Sequence, residues 1–556
     1  MSSVAETSSA PHLPELGLPE NLPSIQEPSI AETLRQDIWA TSSDYSQVSR
    51  EEAVRISYAI VARDSAALTI LTIHWNLCIG TIASFAKTRP DLHPLLDDLQ
   101  QFRVCGQFML TELGHGLDAR NIETTATLQD DGSFRLHTPN PDAAKAMPPS
   151  TAIGAVPKVA VVFARLIAAG QDVGIKPFLV RLCEADSMCA GVTARVLPSR
   201  AGAKPLDHAL TSFDQVVLDR SALLGTMEKA QNPRMDFLTQ LWRVAVGTLA
   251  ISLTNVPALK TCAYIAWKHS RGRQVASESG KCVSILEFST QHRPVLHCAV
   301  QGAVMDAYAD ETIKMFRDPT LRFEVRHAVA TTFKATIIDA TQPALAELVD
   351  RCGWRGLYGF NQIAEVMLAQ RGNSIAEGDY LVLCIRLASE VLLGRYQLPA
   401  ATDPTCLLAQ HEHRLWTQAR ETQAQIANGK ARSAAFNAHI LPRCRALVVA
   451  TGQRMAYEAA RDVASITPQA LALYESTCVL ADPADYCESG HKMRDLQARH
   501  VSAVEAALPQ LPALVDVEDI RTCTSSPLVD NLKWEEFVGA LPTFQHVATP
   551  DINARL

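Results

Sequence analysis

The sequence predicts a mostly helical α+β fold in which a helical unit, a small β domain and a large helical bundle follow one another along the chain. Three observations carry that expectation. From Val54 to Phe85 apolar residues recur at spacings of three and four, until Pro90 and Pro94 end the pattern. From Cys105 the texture changes: "NIETTATLQDDGSFRLHTPNP" alternates β-branched and polar residues around Asp131-Gly132, a hairpin signal, and "PKVAVVFARLIAAG", "IKPFLVRL", "GVTARVL" and "LTSFDQVVL" read as further strands. Beyond Leu223 the helical period returns over 239–269, 285–316, 324–350, 361–370, 379–396, 405–428, 431–460 and 467–481. The predicted organisation is an arm at 1–50, with five prolines in its first thirty residues, then a helical domain at 51–104 and a β domain of five or six strands at 105–222. A helical bundle at 223–400 and a second helical region at 401–556 complete it.

A chain of 556 residues exceeds what one core usually organises. Its net charge of -8 offers no basic stripe for nucleic acid. The 14 cysteines are scattered, without the spacing of a secreted disulfide framework, so a reduced intracellular protein is expected. The oiliest stretch, Val244 to Trp267, is interrupted by Asn255, Pro257 and Lys260, which suits a buried helix pair better than a membrane span. The final Ala554-Arg555-Leu556 fits a degenerate peroxisomal address.

Several nominal motifs fail. His411 and His413 point to opposite sides of a helix, and Cys487 and His491 lack partners at zinc spacing, so no metal is expected. "ESGK" lacks the upstream glycine of a phosphate-binding loop, and no Gly-x-Ser-x-Gly elbow occurs. Two stretches stand out instead. Thr111-Glu112-Leu113-Gly114-His115-Gly116 combines a hydroxyl, exposed amides and two glycines that let a flat ligand approach the main chain. In "NSIAEGDYLVL", Glu377 and Asp379 stand at the mouth of a long apolar run, where first-turn acids often serve only the helix dipole.

The stretch "CGQFMLTELGHGLDARNIETTAT" resembles the signature loop of the acyl-CoA oxidases, within the acyl-CoA dehydrogenase superfamily. The resemblance continues in order through "HTPNPDAAK", "FDQVVLDRSALLG", "SILEFSTQHRPVLHC" and "CGWRGLYG". "AEGDYLVL" resembles the family segment that carries the catalytic glutamate. The likeness spans roughly residues 55–400 and implies an N-terminal helical domain, a β-barrel-like middle domain and a C-terminal helical bundle.

It also implies FAD as cofactor and α,β-dehydrogenation of an acyl thioester, with Glu377 abstracting the proton, flavin N5 accepting the hydride and dioxygen reoxidising the flavin. By the same resemblance Thr111, Glu112, Leu113, Gly114, Gly116, Pro149, Ser150, Gln291 and Asp379 are candidates for the cofactor site. Gly353, Gly356, Arg271 and Arg273 are candidates for the FAD diphosphate, usually that of a neighbouring subunit, and a dimer follows. Departures accompany the likeness: Ala146-Met147-Pro148-Pro149-Ser150 replaces a Trp-Trp-Pro-Gly-Gly loop, Leu117 stands where serine is usual, and Tyr380-Leu381 replaces Asn-Thr. A specialised biosynthetic thioester is therefore a candidate substrate. The competing expectations are a catalytically impaired subunit supporting an active homologue in a heteromer, and a dehydrogenase that passes electrons to a carrier protein.

Overall fold

The computed structural model describes Val61, residues 64–203, 206–277, 280–426 and 433–543; the N-terminal arm and the terminal tripeptide lie outside the described residues. The first helical run joins α1 (Ser65–Leu71), a π-helical segment (Thr72–Ile79) and α2 (Gly80–Ala86), and α3 (His93–Gln100) follows. Asp64 caps α1 by accepting from the Ala66 and Ala67 amides at 2.9 Å. His74, inside the π-helical segment, is fully buried; its Nε2 lies 3.0 Å from the Leu99 carbonyl and its Nδ1 accepts from Gly106 N at 2.7 Å. Burial pushes the His74 pKa down to about 4, so a neutral ring pins this helix to the first strand.

Among the described residues nine strands lie between Cys105 and Leu218, more than the five or six expected, because the flanks of the signature loop also pair. The larger sheet orders β1 (Cys105–Met109), β5 (Lys158–Ala168), β2 (Thr125–Leu128), β3 (Phe134–His137) and β9 (Val216–Leu218), with β6 (Gln171–Cys183) also paired to β5. β5 runs parallel to β1 and β2 and antiparallel to β6, and the hairpin around Asp131-Gly132 forms with Leu128 opposite Phe134. The smaller sheet orders β4 (Lys145–Pro149), β8 (His208–Phe213) and β7 (Val192–Val196).

The helical part begins with α4 (Pro233–Gln240), α5 (Trp242–Leu253) and α6 (Asn255–Gly272). The single helix expected over 239–269 is thus broken twice, ahead of Trp242 and around Thr254, the latter where Pro257 leaves a helix start as its best position. From Trp242 to Gly272 the chain is long and apolar enough to cross a membrane, but 83% of its apolar window is buried inside the protein, as a helix pair. Next come α7 (Ser289–Arg317), α8 (Phe323–Arg351), α9 (Ile363–Ile375) and α10 (Tyr380–Leu392). α8 is the central member, packed against α5, α6, α7, α9, α10 and, later in the chain, α13.

The C-terminal helices include α11 (Leu407–Gln425), α12 (Ala434–His439), α13 (Cys444–Arg461), α14 (Pro468–Ala481), α15 (Pro483–Glu488) and α16 (Met493–Ala507). The stretch expected as one helix over 431–460 divides at Pro442, which sits in a short 3-10 turn between α12 and α13. Arg454, 1% exposed, ties α13 to α11 through Glu412 at 2.7 Å. His411 pairs with Asp485 at 2.8 Å, whereas His413 is exposed on the other side of α11.

Candidate active site

The two stretches singled out in the sequence take on different structural roles residue by residue. Asp379 is a helix cap: its carboxylate accepts from the amides of Leu381 at 3.0 Å and Val382 at 3.1 Å, the start of α10. Glu377 has no such duty. It sits in the loop between α9 and α10 with φ of 55°, a left-handed conformation that costs a non-glycine residue on the order of 1 kcal/mol or more. Gly378 follows at φ 98°, a value open to glycine.

That backbone turns the Glu377 side chain inward, against α5. A Cβ at Gly247 would collide with the Glu377 carboxylate, so glycine there makes the slot in which the acid lies. Thr248 Oγ1 donates to the Glu377 carbonyl at 2.7 Å. Across from α5 the π-helical segment presents Asn76, whose amide interacts with the carboxyl group. Arg243 locks Asn76 in place: Nε donates to the Asn76 carbonyl at 2.9 Å and Nη2 to Oδ1 at 2.6 Å, while Asn76 Nδ2 donates to the Arg243 carbonyl at 3.1 Å. Oε2 of Glu377 is buried and has no hydrogen-bond partner. Burial raises the Glu377 pKa to about 8, against the opposing pull of Lys334, Arg243 and Asn76.

Lys334 closes the underside of the loop. Its ammonium donates to the carbonyls of Ala376 at 2.6 Å and Gly378 at 2.7 Å, one on each side of Glu377. Burial lowers its pKa to about 8, with Glu377 and Asp379 acting in the other direction.

The signature loop is fixed by another lysine. Lys145 Nζ and Glu112 Oε1 pair at 2.9 Å with both side chains fully buried, and Glu112 also accepts from the amides of Glu123 at 2.7 Å and Thr124 at 2.9 Å. Lys145 further donates to the Phe163 carbonyl at 2.7 Å. Main-chain bonds from Ala146 N to Thr111 O at 3.0 Å and from Leu113 N to Ala144 O at 2.9 Å complete the frame. Outside it lie Thr111, Leu113, Gly114, Gly116 and Leu117, all exposed.

Glu112, Ser150 and Gln291, expected as cofactor contacts, have internal hydrogen-bond partners. The Glu112 carboxylate is committed as above. Ser150 is fully buried with its hydroxyl 2.7 Å from that of Thr211. Pro149 is buried beside it and its carbonyl accepts from Lys158 at 2.9 Å, so this part of the altered loop turns into the β domain. Gln291 donates to Ser270 Oγ at 2.8 Å and to the Arg351 carbonyl at 2.9 Å.

Arg271, Arg273 and Gly353 are exposed. Arg271 and Gln274 line a cavity of about 570 Å³ together with Lys268, Gly272 and Leu528–Asn531. Gly353 has φ 60°, and a Cβ at Gly356 would strike the Val349 carbonyl. Over this turn lies the C-terminal helix Asn531–Gly539: Arg355 stacks on Trp534 at 4.0 Å, and Phe360 on Phe537 at 4.2 Å.

Sequence reading missed Asn76, Arg243, Gly247 and Lys334. Lys334 left a signal, since it is the one charge in "HAVATTFKATII", every residue of which is buried in α8. The π-helical segment and the glycine slot arise from packing between distant segments and have no local signature.

The architecture, a helical lead, a two-sheet β domain and a helical array with an inward-turned acid, defines the fold class. It is the fold of the acyl-CoA oxidases: the crystal structure of acyl-CoA oxidase 1 from Yarrowia lipolytica matches with a TM-score of 0.78 at 17% identity, covering 94% of this chain and 88% of that one. Acyl-CoA oxidase-2 of Caenorhabditis elegans, in a structure bound with FAD, ascaroside-CoA and ATP, matches with a TM-score of 0.77 at 18% identity, over 94% and 87% of the two chains. In sequence, peroxisomal acyl-coenzyme A oxidase 1 of Arabidopsis thaliana is 25% identical over 383 residues, 64% of this chain and 56% of the relative. Acyl-coenzyme A oxidase 1 of Yarrowia lipolytica is 26% identical over 375 residues, 61% and 53%. No family model matches. The chain is a divergent relative of the acyl-CoA oxidase family, and its matched part spans about half the length of these curated relatives.

Proposed function

We propose that the chain is an FAD-dependent acyl-CoA oxidase-like enzyme that forms an α,β double bond in an acyl thioester, with Glu377 as the base that removes the α-proton. The observation that carries this reading is the buried, unpartnered Oε2 of Glu377, turned inward by a left-handed backbone into a slot that exists only because residue 247 is glycine. A thioester α-carbon is a very weak acid, and a carboxylate whose pKa burial has lifted to about 8 is a better match for it than a solvated one. The polar atoms around the acid fix its position ahead of the reaction.

The residues fit the cofactor. Leu113, 50% exposed, and Leu117, 74% exposed, flank Thr111 and Gly116, and a Cβ on Gly116 would meet nothing. An apolar rim beside a hydroxyl and main-chain groups, in a loop held from behind by an ion pair, suits a flat heteroaromatic ring. Thr111, Leu113, Gly114 and Gly116 would hold that ring, and Arg271, Arg273, Gly353 and Gly356 the diphosphate, of this or a neighbouring subunit. Bound FAD would supply the hydride acceptor for the β-hydrogen, and dioxygen would carry the electrons on as hydrogen peroxide. The substrate class is an acyl-CoA or related thioester; a neighbour in fold that binds ascaroside-CoA supports a specialised acyl group. Peroxisomal residence is supported by the names of the relatives, and a dimer by the family likeness.

One observation favours a second reading, an impaired subunit that supports an active homologue. Pro149 and Ser150 turn inward, so the segment that replaces the family's glycine loop has no hydroxyl to offer a ring. Titration of the purified protein with FAD separates the readings. A yellow protein that bleaches anaerobically with an acyl-CoA and yields peroxide in air supports the oxidase. A protein that never binds FAD refutes it, and one that binds FAD without bleaching, yet co-purifies with an active homologue, supports the second.

A further inference from the structure

The two carbonyls gripped by Lys334 belong to the residues immediately before and after Glu377, and the lysine is fully buried in the helix at the centre of the bundle. We propose that Lys334 is a positioning residue for Glu377, fixing the left-handed loop geometry through its hydrogen bonds and placing a fixed cation beside the carboxyl group. This rests on the reading of Glu377 as the base.

Two features of the arrangement support it. A left-handed glutamate persists only where its surroundings over-determine it, and here three hydrogen bonds do so within three residues: Lys334 to Ala376 O, Lys334 to Gly378 O and Thr248 to Glu377 O. Among the described residues no carboxylate is hydrogen-bonded to Lys334; its ammonium donates to the two carbonyls, so its charge acts on the loop as a whole. The groups facing the Glu377 carboxyl are Lys334 from α8, Arg243 from α5 and the neutral Asn76 from the π-helical segment, with Asp379 on the same loop facing Lys334. A fixed cation there favours the carboxylate over the acid, which partly offsets what burial does. Arg243 also locks Asn76, so Lys334 is the cation that can be replaced without touching the Arg243–Asn76 bonds.

Lys334→Gln and Lys334→Arg separate the two effects. Glutamine keeps two N–H donors and loses the charge; arginine keeps the charge with a different shape. The expected result is that Lys334→Gln moves the acid limb of the kcat profile upward by about one pH unit, with KM little changed, and that Lys334→Arg leaves the limb in place. The Glu377 carboxyl stretch, identified in ligand-free protein by infrared difference against Glu377→Gln, titrates at correspondingly higher pH in Lys334→Gln. That second readout needs neither flavin nor turnover. A folded Lys334→Gln protein with an unmoved carboxyl titration overturns the proposal. If Lys334→Gln fails to fold, the Lys334→Arg protein decides alone: a Glu377 titration displaced despite the retained charge overturns the proposal, and an unchanged one supports it. If Glu377→Gln itself turns over normally, the base reading fails, and the infrared titration still reports on the coupling between the two residues.

Discussion

The loop that would face the flavin and the loop that carries Glu377 are both held by a fully buried lysine, yet the two lysines leave their loops in opposite electrostatic states. Lys145 meets Glu112 directly at 2.9 Å, and the carboxylate collects two backbone amides as well, so both charges are satisfied where they lie. Lys334 spends its hydrogen bonds on carbonyls, and the nearby Glu377 keeps an oxygen without a partner. A buried carboxyl group with an oxygen left unpartnered is costly, and proteins retain such groups chiefly where they are used. The difference separates a carboxylate that builds a site from one that acts in it.

The sharpest way to break this comparison is to make the same substitution at both acids. Glu377→Gln is expected to lower turnover by roughly 10²- to 10⁴-fold with bound flavin retained, the usual contribution of a general base. Glu112→Gln is expected to lower thermal stability while turnover per bound flavin stays close to wild type, because it alters the frame behind Thr111. Steady-state rates normalised to flavin absorbance, together with melting temperatures, check both. If the two variants behave alike, the division of roles is mistaken.

Removing the lysine of the satisfied pair comes next in size. Lys145→Met strands the Glu112 carboxylate in the β domain, a loss of roughly 3–5 kcal/mol for a broken buried pair. Chemical denaturation of the flavin-free protein measures it, and a loss below about 1 kcal/mol would mean that water reaches the pair.

The unsatisfied acid gives the opposite sign in its pH dependence. The fold raises the Glu377 pKa from 4.5 to about 8, so the stability it contributes is complete below about pH 4.5 and is lost as pH rises toward 8. Glutamine carries no such dependence. Glu377→Gln should therefore gain stability relative to wild type between pH 5 and 8 and hold the gain above that, a plateau on the order of 5 kcal/mol. For the same reason the wild-type kcat should rise through an apparent pKa well above the ordinary carboxylate range. A flat stability difference across that window would show Glu377 to be solvated.

Much of this contrast was legible in the chain. The order of helical, β and helical segments follows from periodicity, and the structure keeps that order from Ser65 to Gly539. Glu377 and Asp379 were both visible as acids at a helix entrance, but their roles were not separable there, since two residues' spacing says nothing about which side chain caps and which turns inward. At Glu112 and Ser150 the sequence does not separate the roles either, because a polar residue in a loop looks the same whether it faces a ligand or a buried partner. The Arabidopsis thaliana relative matches 64% of this chain, whereas the fold match to the Yarrowia lipolytica structure covers 94%. Helical packing tolerates wide substitution of apolar residues so long as volume and pattern persist.

The smallest effect tests the cap against the base within a single loop. Asp379 lies two residues from Glu377 and its carboxylate accepts two amides at the start of α10. If it is a cap and nothing more, Asp379→Asn should be nearly neutral, since asparagine caps as well, and Asp379→Ala should cost about 1 kcal/mol. Turnover should fall only as far as the loop loosens, by a few-fold, and the acid limb of the pH profile should stay within a few tenths of a unit, because Lys334 screens one acid from the other. Asp379→Asn is the discriminating variant: it preserves the hydrogen bonds and deletes the charge. A large loss of turnover in that variant, with stability intact, would mean that the negative charge at 379 takes part in the chemistry, and the assignment of a single acting carboxylate to this loop would give way to a pair.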